Sequence, residues 1–430
     1  MTREGVKHAK RSGSRREVVT VERTVHGGVA LARTGSGEVA LVAGALPGET
    51  VEAELRRERG VWQGRSLGVV VASPDRVPAH AHPGLDFSFM TYERQLIEKR
   101  AVVVDALARA RAPLPAATDV DQVVPAPADW GYRNTVQPAA ARGGLGYRRP
   151  ASHEVVVLDE DPTATAAVNA AWSAVTELGG HRGAGVREVA IRANDAGEAL
   201  VALVSDAPER ALLDFAHALV RGGVTGVSYA PHDARGRFRS GATRLAGERF
   251  VRQRYGRVTL TVNATSFAQP NARAAGALYE ELARWAGDGG TAVELYAGGG
   301  AIAFHLAERF GRVLAVEIDR AAVARGLRGL ERLGIGNVEF VRQDARAVAV
   351  PAGAELVVVD PPRAGLSADA RAAIAAGPAA RLIYVSCDPA TWARDVADLA
   401  RRGLVLERAV PYDFYPQTHH VELLSLLTRA

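Results

Sequence analysis

One cysteine, Cys387, occurs in 430 residues, beside two methionines and only three lysines, Lys7, Lys10 and Lys99. A single thiol excludes an internal disulfide framework, argues against a thiolate-ligated metal cluster and fits a reducing compartment. No apolar run approaches the ~20 residues of a membrane-spanning helix, and the polar N-terminus lacks a secretory apolar core. The expected location is therefore cytoplasmic, with no membrane partner. The near absence of lysine among 53 basic residues, together with abundant alanine, looks like coding bias, so arginine counts say little about function. The net charge of +5 and pI near 9.5 still favour a polyanionic partner. A tail over 1–16 carries Arg3, Lys7, Lys10, Arg11, Arg15 and Arg16 against Glu4, and is expected to be disordered and to touch phosphates.

With 47% hydrophobic residues the chain can bury several cores, and its pattern changes twice. Over 17–73, short β-rich runs alternate with turns such as His26-Gly27-Gly28, as in a small β-barrel. The order Gly27-Gly-Val-Ala-Leu-Ala32 and then Val42-Ala-Gly-Ala-Leu-Pro-Gly-Glu-Thr-Val51 resembles the TRAM domain, an RNA-binding barrel. The segment 74–257 reads as an α+β domain with a helix over Tyr92–Ala110. Its Tyr132-Arg133-Asn134 and Gly146-Tyr-Arg-Arg149 pair aromatic with cationic groups suited to RNA, or form ordinary loop surface. Over 258–430, strands and helices alternate as in a doubly wound, Rossmann-like α/β sheet, closing with a strand over Val421–Leu427.

Cys387 follows the apolar run Leu382–Val385, and Asp388-Pro389 suits the start of a helix over Ala390–Ala400. A thiol at the carboxyl edge of a sheet, beside a helix N-terminus that lowers its pKa, is a nucleophile candidate; a buried structural thiol is the alternative. Val293-Glu-Leu-Tyr-Ala-Gly-Gly-Gly-Ala301 is a strand running into a glycine turn, with Glu317 ending the next strand. Gly298, Gly300 and Ala303 also fit the G-x-G-x-x-A dinucleotide pattern, which keeps a nicotinamide oxidoreductase open. Asp344 and Asp360 follow the third and fourth strands. A carboxylate at the reacting end suits a sulfonium and repels a pyrophosphate, so S-adenosylmethionine is favoured over NAD.

Asp360-Pro-Pro-Arg363, Ser386-Cys-Asp-Pro389, Ser266-Phe-Ala-Gln-Pro-Asn271 and Phe414-Tyr-Pro-Gln-Thr-His-His-Val-Glu422 stand in an order that resembles the RNA (uracil-5-)-methyltransferases over nearly the whole chain. The resemblance implies Cys387 as the nucleophile and Glu422 as the proton acceptor. It implies cofactor contacts from Gln269, Tyr296, Glu317, Asp344 and Asp360, joined here by Gly298 and Gly300. It also implies an RNA partner met in part by Arg133, Asn134 and Arg363; for Arg363 a structural salt bridge is the competing role. Ribosomal RNA (23S) is expected ahead of transfer RNA because the TRAM-like start is commoner in that branch. A non-catalytic RNA-binding protein on the same fold is the alternative of a different class. Many TRAM-containing members hold an iron–sulfur cluster near the start of the middle domain. Here that stretch reads His80-Ala-His-Pro-Gly-Leu-Asp-Phe-Ser-Phe-Met90, so no cluster is expected. Ala301 replaces an asparagine frequent in the glycine loop of relatives, and nothing demands more than a monomer.

Overall fold

The computed structural model describes residues 14–112, 119–182, 185–234, 238 and 241–430, so most of the basic tail lies outside the described residues. Strands β1 (Arg15–Val25), β2 (Val29–Arg33), β3 (Val39–Ala43), β4 (Thr50–Glu58) and β5 (Val61–Val71) close into a barrel in the order β1-β2-β3-β5-β4. Alternation turns Val19, Val21, Val51, Ala53 and Leu55 inward, as period-two side chains require. Arg56, Arg57, Arg59 and Arg65 stand exposed. Gly27 and Gly28 make the β1–β2 turn at φ 89° and 76°, a region open mainly to glycine.

The stretch after β5 is tied down by apolar packing of Phe87, Phe89 and Met90 against Leu46. His80 stacks on Trp130 with centroids 4.3 Å apart. Helix α1 (Tyr92–Ala110) forms where expected and is N-capped by Thr91. It falls in the segment assigned to the middle domain, yet Val103 and Leu107 pack into the core of the C-terminal sheet with Trp392 and Val396. Lys99 on the same helix donates to Asp413 at 2.6 Å, and both side chains are fully buried.

The middle region holds β6 (Thr135–Val136), β7 (Ala139–Ala141), β8 (Gly144–Arg148), β9 (Val155–Val157), α2 (Ala166–Leu178), β10 (Val186–Ala193), β11 (Ala199–Ser205), α3 (Leu213–Arg221), β12 (Gly226–Pro231) and β13 (Thr243–Gly247). Its sheet runs β13-β12-β11-β10-β7-β8-β9, with β6 beside β10. The core of α2 and α3 against this sheet centres on Trp172 and Leu203. The hairpin β14 (Val251–Tyr255) and β15 (Val258–Val262) leads into the last region.

There α4 (Ala272–Ala286), β16 (Gly289–Leu295), α5 (Ala301–Leu306), β17 (Phe310–Glu317), α6 (Arg320–Leu333), β18 (Val338–Arg342), β19 (Leu356–Val359), α7 (Ala368–Ala376), β20 (Arg381–Ser386), α8 (Pro389–Arg401), β21 (Leu404–Tyr412) and β22 (Glu422–Arg429) follow in turn. The sheet order is β18-β17-β16-β19-β20-β22-β21. The strands from β16 to β20 are parallel, as alternating helices demand. The end of the sheet departs from the sequence reading, which has no strand over 404–412, because Glu407-Arg408 and a bulge there break the apolar pattern. β21 takes the edge, and β22 inserts between it and β20, antiparallel to both. The reason is burial: Leu423, Leu424 and Leu427 are buried, and only a central strand covers both faces.

Candidate active site

The antiparallel insertion decides the geometry of the site. Ser386, the last residue of β20, is paired with Leu423, so the start of β22 sits at the carboxyl end of β20. Cys387 and Glu422 thereby open into one cavity of about 600 Å³, shared with Gln269, Tyr296, Gly298, Glu317, Asp360 and Arg363. Eight of the residues named from sequence thus meet at the carboxyl edge of the sheet, where ligands bind in open α/β folds.

Several are placed by local devices. Asp388 accepts from the Thr391 N–H at 2.8 Å and Pro389 opens α8, so Cys387 rides the strand-to-helix corner. Tyr296 adopts φ 65°, a left-handed conformation that costs a non-glycine residue about 1 kcal/mol or more. It turns the chain from β16 into the glycine loop. Glu317 accepts from the Gly298 N–H at 2.8 Å and the Asp319 N–H at 2.7 Å, fixing that loop against β17. Gly300 serves packing instead, since a Cβ there would lie 2.6 Å from Phe340 and hold α5 away.

Other expected residues stand outside the cavity. Asp344 lines a neighbouring hollow with Tyr296 and is held by Arg346 at 2.5 Å. Arg133 lies over the Tyr415 ring at 5.7 Å, behind the cavity wall. Asn134 is 5% exposed, and its N–H donates to Pro270 at 2.7 Å, so it anchors the 266–271 loop from inside. Arg363 reaches His420 at 3.5 Å and makes no ion pair among the described residues.

Sequence reasoning missed Glu294, Phe267 and Tyr415. Glu294 interrupts the apolar run of β16, which is the signal that could have found it. It is buried with one carboxylate oxygen unpartnered, in a small lobe that shares Asp360, Gln269 and Tyr296 with the main cavity. Phe267 is 82% exposed at the mouth of both lobes. Tyr415 forms a wall and meets Gln269 at 3.4 Å.

The electrostatics overturn one expectation. The Cys387 thiol is not lowered by the helix end. Burial, then the carboxylates of Glu422 and Asp360, push it up to about 12 against the pull of Arg363. Burial likewise raises Asp360 to about 7, and burial with Asp360 as neighbour holds Glu422 well above the carboxylate range. Glu294 is raised by burial and Asp360 in the same way. A pocket of uncompensated carboxyls stores an attraction for a cation. Among the described residues no group of three or more His, Cys, Asp or Glu is gathered to hold a metal ion, and no helix is long and apolar enough to cross a membrane.

A family model described as tRNA (Uracil-5-)-methyltransferase matches residues 251–353 and 351–430. A protein of Halalkalibacterium halodurans named as an uncharacterized RNA methyltransferase is 30% identical, covering 95% of this chain and 96% of its own. The chain belongs to the RNA (uracil-5-)-methyltransferase family. A similarly named protein of Gloeobacter violaceus is 32% identical to this methyltransferase over 94% of each chain. The crystal structure of a Pyrococcus abyssi tRNA (uracil-54, C5)-methyltransferase in complex with S-adenosyl-L-homocysteine shares the fold, with TM-score 0.78 at 24% identity, covering 95% of this chain and 100% of that one. A nicotinamide oxidoreductase, left open by the glycine pattern, is set aside by the family.

The raised Asp360 carboxyl predicts how stability of the ligand-free methyltransferase depends on pH. Its folded value near 7 exceeds the ordinary 3.8, so its contribution is fully present below about 4 and is lost as pH rises through about 7. The melting temperature is expected to fall across that window and to fall less in Asp360→Asn. Calorimetry on both proteins checks this, and parallel curves would show that Asp360 ionises freely.

Proposed function

We propose that this enzyme transfers a methyl group from S-adenosylmethionine to C5 of uracil in structured RNA, ribosomal (23S) RNA first, through a covalent bond from Cys387 to C6. The observation that carries the reading is the meeting of the sole cysteine, Glu422 and Asp360 in one cavity beside the glycine turn. The residues fit the donor: Asp360 and the free carboxylate oxygen of Glu294 favour a cationic ligand, while no side chain stands within 4 Å of a Cβ built at Gly298 or Gly299. Gln269, Tyr296, Gly298 and Glu317 would line its body, with Gly300 shaping the turn and Asp344 reaching from the neighbouring hollow. Bound there, S-adenosylmethionine supplies an electrophilic methyl group.

The protein supplies the rest. Cys387 adds to C6, moving electron density onto C5 so that this carbon becomes nucleophilic. Glu422 takes the C5 proton once C5 is methylated; the double bond reforms, the C6–S bond breaks and the thiolate returns. Because the thiol must meet a face of the ring, the base enters unstacked. Tyr415 and Phe267 offer aromatic surfaces at the entrance, and exposed Arg363 at the rim suits an RNA phosphate. Arg133 and buried Asn134 support this wall from behind. The exposed arginines of the TRAM-like barrel suit the RNA backbone beyond the site.

The test is mass spectrometry of ribosomal and transfer RNA nucleosides from a strain lacking this protein, with mapping of lost 5-methyluridine and rescue by wild type or Cys387→Ala. Loss at a ribosomal position, restored by wild type alone, is the expected result. Loss confined to transfer RNA transfers the reading to that substrate. If every 5-methyluridine persists with no redundant enzyme present, the non-catalytic RNA-binding alternative takes its place.

A further inference from the structure

The barrel does not stand apart from the chemistry. Its β1–β2 turn reaches over the start of α8, where His26 Nε2 lies 3.3 Å from Asp388 Oδ2. The same turn seats on the segment before Glu422: a Cβ on Gly28 would come within 2.7 Å of His419, and His419 is held by Asp86 at 2.5 Å. His26, Gly27 and Gly28 thus close one side of a hollow of about 100 Å³ whose other side is Cys387 and Asp388. Neither the catalytic steps nor the RNA contacts use this turn.

We propose that the β1–β2 turn of the barrel is a wall of the reaction site and that His26 is a positioning residue for Cys387, acting through Asp388. This rests on the covalent reading of the cysteine. Asp388 is bonded to the nucleophile's own residue and caps α8, so a partner that fixes its carboxylate fixes the corner on which the thiol is carried. The bond also has an electrostatic side. Asp388 is among the carboxylates that hold the thiol up, with Glu422 and Asp360 ahead of it and Arg363 opposing. A protonated His26 cancels part of that charge: its hydrogen bond to Asp388 raises the imidazole above its ordinary value. Asp388 is held at about 2, since the bonds from His26 and Thr391 outweigh burial.

The remaining charged groups around the hollow are committed elsewhere. Lys99 of α1 is spent on Asp413, His419 on Asp86, and His420 is kept neutral, held at about 3 by burial and then by His419 and Arg363. Of the groups facing Asp388, only His26 comes from the barrel, so docking of the barrel and readiness of the thiol are linked.

The sole cysteine makes the test clean, because alkylation by iodoacetamide reports Cys387 and no other thiol. His26→Ala is expected to slow alkylation at pH 6.5, where the raised imidazole is mainly charged, by about three- to ten-fold, the change in thiolate fraction from leaving Asp388 uncompensated. In an Asp388→Asn background, where asparagine still caps the helix, His26→Ala is expected to change the rate by less than about two-fold. Equal rates for wild type and His26→Ala overturn the proposal, and so does an undiminished effect in the Asp388→Asn background. The assay needs neither RNA nor methyl donor. A wild-type protein that fails to methylate uracil while the alkylation rates behave as described sinks the uracil reading and leaves the positioning role of His26 standing.

Discussion

Cys387→Ala is expected to lower methyl transfer to RNA by at least about 10⁴-fold while leaving methyl-donor affinity within about two-fold. The size of the effect follows from the chemistry assigned to the thiol. Without addition at C6, C5 of uracil has too little electron density to attack a methyl group, and no other side chain lining the cavity is a comparable nucleophile. The donor lobe is built by Gln269, Glu294, Tyr296 and Asp360, which the substitution does not touch. Single-turnover transfer of a labelled methyl group to an RNA transcript, paired with calorimetric titration of S-adenosylmethionine, separates the two quantities. A variant that still transfers within 100-fold of wild type removes the covalent step from the mechanism. The thiol's resting position near 12 adds a second signature. Thiolate is scarce at neutral pH, so the wild-type rate is expected to climb with pH through at least 9; a rate flat from pH 7 to 9 would show that bound RNA lowers the thiol.

Glu422→Gln is expected to trap the enzyme on its RNA. Glu422 is buried, one of its oxygens has no partner, and burial with Asp360 as neighbour holds its carboxyl well above the ordinary range, which favours the neutral form before ligands arrive. Glutamine matches that neutral form in shape, and the fold is expected to survive. Arrival of a cationic donor beside Asp360 favours ionisation of Glu422 and makes it a base; glutamine cannot follow. The C5 proton then stays in place, the C6–S bond cannot break, and the methylated adduct accumulates. Turnover is expected to fall by about 10²- to 10⁴-fold, with an RNA-shifted band on a denaturing gel that Cys387→Ala abolishes. Product release at the wild-type rate, with no shifted band, would place the base on another residue.

Much of this could be read along the chain because the signals were local. A glycine turn after an apolar strand, an Asp-Pro opening a helix and acids at successive strand ends each act within a few residues of themselves, and Gly298, Glu317, Asp360 and Cys387 line one cavity, together with Gln269 and Tyr296, which the family resemblance implied. Glu294 stands out along the chain only as an acid inside an apolar strand, and the unpaired state of one of its oxygens shows only in three dimensions. The neighbours of Asn134 suggest RNA surface, but packing against the 266–271 loop buries it.

The sequence by itself determined the family, the barrel, α+β and Rossmann-like parts and the chemical types at the site, since those rest on local pattern and motif order. The tertiary structure decided the pairings between distant segments. β22 lies antiparallel beside β20 because its leucines need cover on both faces, and that burial sets Glu422 next to Cys387. The barrel turn folds back so that His26 meets Asp388. The direction of the thiol's pKa was likewise a tertiary result: one helix end favours the thiolate, but burial and the carboxylates of Glu422, Asp360 and Asp388, gathered from separate strand ends, outweigh it.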